Sequence, residues 1–246
     1  VRIEADPMPA IYRGTGLGGS NLAHAAALIF ASSLSGVELS LAQIYSWGTE
    51  LENNFGVTHL RTGAISYGVS LTGGQEMLVA FQGGVFDNIH VPFALGSHSV
   101  ISRELVEPEH YADLEGHLAL INLGRRRQKG VKSTDVNSEW MAAWAVPQQA
   151  ARHLAKADLT YRAAEALRHR EFRTYAQVVR DYREIRTQLC ARYVAGQSEL
   201  ARLCEKHNAE YFPVGAGGGT CLVCSRDVGA IDEIRHYMTQ TADPNV

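Results

Sequence analysis

The sequence has few cysteines, little net charge and no long hydrophobic run. Four cysteines in 246 residues are too few for a disulfide scaffold, so a reducing cytoplasm is the expected location. A formal net charge of −3 gives no strong field, so neither nucleic acid nor a membrane is an expected partner. The longest apolar stretch, residues 22–34, is interrupted by His24 and serines and is too short to cross a bilayer. With 46% apolar and 20% charged residues, the composition instead indicates a globular protein with a sizeable core.

Two of the cysteines, Cys221 and Cys224, form a C-x-x-C motif, a spacing that also occurs in zinc sites. The surrounding run Thr-Cys-Leu-Val-Cys-Ser is typical of a buried strand, on which these two thiols would point to opposite faces. We therefore expect both side chains to belong to the core, and zinc binding is the less favoured alternative.

Helical and strand-like patterns follow each other in an order that predicts an α+β fold. Residues 56–75 are rich in Gly, Ser and Thr and are expected to form a loop. Ser40 is a plausible N-cap, and Ser35-Gly36 is expected to form a turn before it. The pattern predicts helices at about 21–34, 40–53, within 135–207 and at 228–240, and strands at 1–5, in three pieces of 77–107, and at 117–123, 210–214 and 220–225.

The segment 168–192 carries apolar residues at helical spacing, which predicts an amphipathic helix. Its many arginines are expected to form a solvated basic face. The apolar residues of this predicted helix are Tyr175, Val178, Val179, Tyr182 and Ile185.

We expect two domains, residues 1–110 and residues 111–246.

The first chemical signal is a glycine-rich loop between a predicted strand and a predicted helix. Glycines let the backbone approach a ligand, and the free N–H groups at the start of a helix attract anions such as phosphate. The loop lacks the Gly-Lys-Ser/Thr of a Walker A motif and fits the Rossmann fingerprint poorly. A purely structural turn with a helix cap remains the alternative. The predicted phosphate-binding residues are Gly14, Gly16, Leu17, Gly18, Gly19 and Ser20.

A second glycine-rich loop lies near the end of the sequence, between two predicted strands. One glycine suffices for a turn, so four glycines in five residues indicate that the backbone closely contacts another group. That group is either a ligand or the first loop. The residues of this C-terminal glycine motif are Gly215, Ala216, Gly217, Gly218 and Gly219.

Four segments together resemble the motifs of GHMP kinases, and they occur in the family's order. Gly16-Leu-Gly-Gly-Ser20 resembles the phosphate-binding G-L-G-S-S, and Thr72-Gly-Gly-Gln-Glu-Met resembles the segment G-x-Q-D-Q. Leu123-Gly-Arg-Arg-Arg127 is similar to the T-G-x-x-R segment of the sugar kinases, and 214–222 is similar to the family's G-A-G-G-G motif. The heptose and fucose kinases are the branch that the sequence resembles most.

The resemblance implies a two-lobed α+β fold with a ribosomal-S5-like N-terminal part and a ferredoxin-like C-terminal part. It also implies transfer of phosphate from ATP, with Mg²⁺, to a hydroxyl of a sugar or similar small metabolite. Glu76 would accept or orient the substrate proton, and Arg127 would stabilise the transferring charge. Ser20 and Glu52 would hold the metal ion, with Glu50 as the alternative to Glu52. Ordinary solvated roles for Glu76, Glu52 and Arg127 remain open.

Three departures from the family pattern limit what the resemblance implies. The family's N-terminal proline-glycine-arginine segment does not precede Val1, so we expect an N-terminally truncated lobe completed by a missing segment or by a homo-oligomer partner. Gly19 replaces a serine, and Glu76 stands where the family has its catalytic aspartate. A catalytically silent protein that binds nucleotide or sugar, or a GHMP-fold enzyme with another reaction, is therefore the alternative.

Overall fold

The computed structural model describes residues 19–54, 57–58, 65–66, 84–92, 98–123, 136, 139–140, 142–194, 197–214 and 219–241. The chain divides into two compact units that meet in sequence between Glu107 and Pro108. Helices and antiparallel sheets occur in both, so the predicted α+β class is confirmed. Among the described residues, no helix combines the length and the apolarity that a bilayer crossing needs.

The first unit pairs two helices with two small hairpins. Helix α1 packs on helix α2 through a small core of Ala25, Ile44 and Tyr45. Both hairpins are antiparallel, and the second is the longer one. The elements are α1 (Gly19–Ser35), α2 (Leu41–Asn54), β1 (Val57–Thr58), β2 (Ile65–Ser66), β3 (Val85–Pro92) and β4 (His98–Val106).

The limits of the first two helices follow from local sequence. Gly36 has φ +68° and ends α1, because a residue without a Cβ adopts this left-handed conformation without strain. Ser40 caps α2 as predicted: its hydroxyl accepts the N–H of Gln43 at 3.3 Å, and the Gln43 side chain accepts the N–H of Ser40 at 2.8 Å. This reciprocal pair is a capping box, with glutamine in the usual acidic position.

One prediction for this unit was wrong. Residues 56–75 are not wholly loop, because Val57–Thr58 pairs with Ile65–Ser66. Strands of two residues are too short to show an alternating pattern, so sequence periodicity could not reveal them. Gly84 has φ +82° just before β3. The strand predicted at 1–5 and the first of the three predicted within 77–107, at residues 77–81, lie outside the described residues.

The second unit is built on a three-stranded antiparallel sheet in the order β5-β7-β6. Long helices connect β5 to β6, and a short hairpin connects β6 to β7, which is the central strand. The described elements are α3 (Tyr111–His117), β5 (Leu118–Asn122), α4 (Pro147–Arg168), α5 (Phe172–Leu189), α6 (Ser198–Lys206), β6 (Ala209–Pro213), β7 (Thr220–Ser225) and α7 (Ala230–Thr241).

The core of this unit lies between one face of the sheet and helices α6 and α7. Val223 of the central strand, Leu200 of α6 and Ile234 of α7 are all buried in it. Cys221 belongs to the same cluster, and Cys224 is also buried, so the prediction that both are core residues is confirmed. Burial raises the pKa of the Cys224 thiol well above its usual range, which keeps it protonated and unreactive.

Helix α5 packs along the sheet and on α4, with the predicted apolar face turned inward. The prediction of a solvated basic face was wrong for Arg186, which is only 8% exposed. Arg183 is also largely covered, donating to the Tyr211 carbonyl at 2.9 Å and pairing with Glu210 at 3.2 Å. These two arginines are buried because carbonyl, carboxylate and aromatic groups replace the water that they lose.

Replacing Leu200 by alanine should lower the free energy of unfolding by about 2–5 kcal/mol, because the side chain is 1% exposed and leaves a cavity in the core. The matched control is Leu154→Ala, also on a helix of this unit but 66% exposed, which should change stability by less than about 0.5 kcal/mol. Urea unfolding followed by circular dichroism measures both. Equal effects of the two substitutions would contradict this packing.

Candidate functional site

The first glycine loop leads directly into α1. The helix begins with Gly19 and Ser20, two residues before the predicted start at about residue 21, while Gly14, Gly16, Leu17 and Gly18 lie outside the described residues. The first turn of a helix has four backbone N–H groups without an intrahelical partner. The observed start therefore has the geometry that a phosphate site needs, and a helix cap alone would show the same geometry.

The other predicted catalytic and metal residues are only partly covered by the structure. Glu76, Arg127 and residues 215–218 lie outside the described residues. Glu52 lies in the last turn of α2, and Ser20 lies in the first turn of α1. These two helices pack against each other, and a hydroxyl and a carboxylate are the oxygen ligands that Mg²⁺ prefers.

Two of the predicted motifs meet at one end of the C-terminal sheet. Strand β5 ends at Asn122, which is paired with Thr220 at the start of β7. The next residue, Leu123, donates its N–H to the carbonyl of Gly219 at 2.9 Å. Leu123 therefore lies beside the end of the C-terminal glycine motif, while residues 124–127 of its segment lie outside the described residues.

Hydrogen bonds also fix the base of the second glycine loop. The N–H of Val214 donates to the carbonyl of Thr220 at 2.9 Å, which closes the β6–β7 hairpin. The hydroxyl of Tyr193 donates to the carbonyl of Pro213 just before the loop. Thr220 is buried, and its hydroxyl has no hydrogen-bond partner within the described part of the chain. The loop is thus anchored on both sides, next to a polar group that could bind a ligand or a water molecule.

Tyr193 connects this loop base to a buried cluster of aromatic rings and cations. The guanidinium carbon of Arg186 lies 3.7 Å from the ring centre of Trp140 and 4.2 Å from that of Tyr193. Trp140 and Tyr193 meet edge to face, with ring centres 5.6 Å apart. Stacking on electron-rich ring faces offsets part of the cost of burying the Arg186 charge.

A second cation, Lys156 of α4, lies near the same indole, 5.6 Å from the ring centre of Trp140. His153, one turn earlier, has its Nε2 2.9 Å from the Trp140 carbonyl and stacks on Trp144 with ring centres 4.4 Å apart. We call Trp140, Trp144, His153, Lys156 and Arg186 the Trp140 cluster. Sequence reasoning missed it because its members come from separate elements; the only local signal was the pair of tryptophans four residues apart.

Comparison of the chain with models of protein families and with curated proteins finds no match.

Proposed function

We propose that the chain is a GHMP-type kinase that transfers phosphate from ATP to a hydroxyl of a sugar or similar small metabolite in the cytoplasm. The observation that carries the proposal is the pairing of Asn122 with Thr220, beside which Leu123 of one motif donates a hydrogen bond to Gly219 of the other. These segments are two of the four that resemble the family, and they are about a hundred residues apart in sequence. A shared ligand site would explain the three arginines of one segment and the four glycines of the other.

The topology of the second unit also supports the proposal. Its elements follow one another as a strand, helices, two hairpin-linked strands and a helix, and β7 lies between β5 and β6 in the sheet. This order fits the first five elements of a ferredoxin-like βαββαβ arrangement. That arrangement is what the family resemblance implies for the C-terminal lobe. Fold alone does not define function, so the proposed reaction is argued from the motifs and not from the topology.

The proposed mechanism relies on positioning and charge neutralisation, as phosphoryl transfer generally does. The backbone N–H groups at the start of α1 would hold the ATP phosphates, and Glu76 would accept or orient the proton of the substrate hydroxyl. Arg127 would stabilise charge on the transferring group. Ser20 and Glu52 would hold Mg²⁺, which supplies neutralisation of the phosphate charge when bound.

Isothermal titration of the protein with Mg·ATP, and with a non-hydrolysable analogue, tests the proposal. We expect saturable binding of both, because the proposed contacts are made to the phosphates and need no reaction. A radiolabelled transfer assay across a panel of sugars then tests the reaction. The absence of ATP binding by folded protein would refute both the kinase assignment and the assignment as a silent nucleotide binder.

A catalytically silent nucleotide or sugar binder is the second candidate. It is favoured by Glu76, which replaces an aspartate and is longer by one methylene, a change large enough to misplace a catalytic carboxylate. Gly19 in place of a serine also favours the catalytically silent binder. Saturable ATP binding without transfer to any sugar of the panel would select this second candidate over the kinase.

A further inference from the structure

Two cations in the second unit share one indole ring. The guanidinium of Arg186, on α5, and the ammonium of Lys156, on α4, both contact Trp140. Placing two like charges against one partly buried ring is costly, because each disfavours the charged form of the other. Arrangements of charged groups that lower the stability of the fold are concentrated at functional sites.

The residue whose pKa this arrangement lowers most clearly is Lys156. Burial, followed by the charge of Arg186, lowers the pKa of its ammonium to about 8. The pKa of His153 is lowered too, first by burial and then by the charge of Lys156, although its hydrogen bond to the Trp140 carbonyl opposes the shift. The adjoining carboxylate of Glu139 is paired with Arg192 at 3.2 Å. Among the described residues, the neighbouring charge that acts on the pKa of Lys156 is therefore a cation.

Lys156 is also partly exposed to solvent. The residue is only partly buried, in contrast to Arg186 beside it. Trp144, which stacks on His153 at the edge of the Trp140 cluster, is 48% exposed. A small molecule can therefore approach the amine from the surface without unfolding the helices around it.

We propose that Lys156 is a nucleophilic amine that condenses with small aldehydes carrying an anionic group. The nitrogen lone pair adds to the carbonyl carbon, and the adduct loses the carbonyl oxygen as water, together with both amine protons. The product is an imine, so the reaction needs no oxidant or reductant. The positive charge of Arg186 favours an anionic ligand over a neutral one. This site is independent of the proposed kinase reaction.

The reactivity follows from the fraction of neutral amine. At pH 7.5 about a quarter of an amine with this lowered pKa is neutral, against about 0.1% for an ordinary exposed lysine. The less basic amine is intrinsically a weaker nucleophile, which offsets part of that advantage. We expect Lys156 to react at least about tenfold faster than an exposed lysine.

Labelling with pyridoxal 5′-phosphate, trapped by borohydride and mapped by mass spectrometry, tests the proposal on the intact chain. Lys206, an exposed residue of α6, provides the internal reference. At pH 7.5 we expect at least about tenfold faster labelling of Lys156 than of Lys206, and a larger ratio of Lys156 to Lys206 labelling with pyridoxal 5′-phosphate than with uncharged pyridoxal. Equal labelling of the two lysines, or the same ratio with both reagents, would overturn the proposal.

The pH profile separates this reactivity from simple accessibility. Labelling of Lys156 should rise with a midpoint near pH 8, because the neutral amine is the reactive form. Arg186→Gln removes the neighbouring charge and should move the Lys156 midpoint upward. If that variant does not fold, the profile of the unaltered protein decides: a Lys156 midpoint at about pH 10, the value of an ordinary lysine, would overturn the proposal.

Discussion

Replacing Gly18 by valine should abolish measurable ATP binding while the protein stays folded. In the sequence Gly18 immediately precedes Gly19, the first residue of α1, where the unsatisfied N–H groups of the helix begin. A phosphate bound there approaches the backbone closely, and a valine side chain would occupy that space. Isothermal titration with Mg·ATP measures the loss, and circular dichroism checks the fold.

Ala27→Val is the matched control for this substitution. Ala27 is exposed on the same helix, so the added methyl groups should leave ATP affinity unchanged. Unchanged affinity in Gly18→Val, under conditions in which the parent protein binds ATP, would exclude the first glycine loop as the phosphate site. The loop would then be the structural turn that the sequence also allows.

Replacing Glu76 by glutamine should lower kcat by roughly 10²–10⁴-fold and leave ATP affinity nearly unchanged. The amide keeps the size of the carboxylate but cannot accept the proton of the substrate hydroxyl. Glu76→Asp should recover part of the loss or exceed the parent, because aspartate is the residue that the resembled family uses. Steady-state kinetics with the acceptor found in the sugar panel provides the measurement.

The control for Glu76→Gln is Glu115→Gln, since Glu115 is an exposed carboxylate on α3. It should leave kcat within a factor of about two, as expected for surface substitutions. A Glu76→Gln variant as fast as the parent would show that Glu76 is not the base. The carboxylate would then be an ordinary solvated residue before the predicted strand.

Elements with local signals were predictable from the sequence. Gly36 and the Ser40–Gln43 capping box define where α1 ends and α2 begins, and both signals lie within a few residues of each boundary. The strand 220–225 was predicted within its observed limits, because an uninterrupted apolar run between a glycine loop and a helix has few alternative structures. Strand pairing was not predictable in this way, because nothing in the residues of β5 specifies β7 as its neighbour.

The Trp140 cluster shows why the rest could not be predicted. Arg186 lies on a helix with many arginines, and its periodicity distinguishes the apolar face from the polar face but does not identify which arginine is buried. Which arginine is buried depends on Trp140 and Tyr193, which contact the helix only through tertiary packing. Cation–π contacts have no spacing rule along the sequence, so a solvated role was the natural and incorrect expectation for Arg186.

The central position of β7 has a consequence for how the second unit forms during translation. Strand β5, complete at residue 122, has its only described neighbour in a strand that begins at residue 220. At ribosomal speeds of about 5–20 residues per second, that interval lasts roughly 5–20 s. Throughout it, β5 presents unpaired N–H and C=O groups and an apolar face, a state prone to aggregation. Slowing elongation between the two strands should therefore lower the yield of correctly assembled protein.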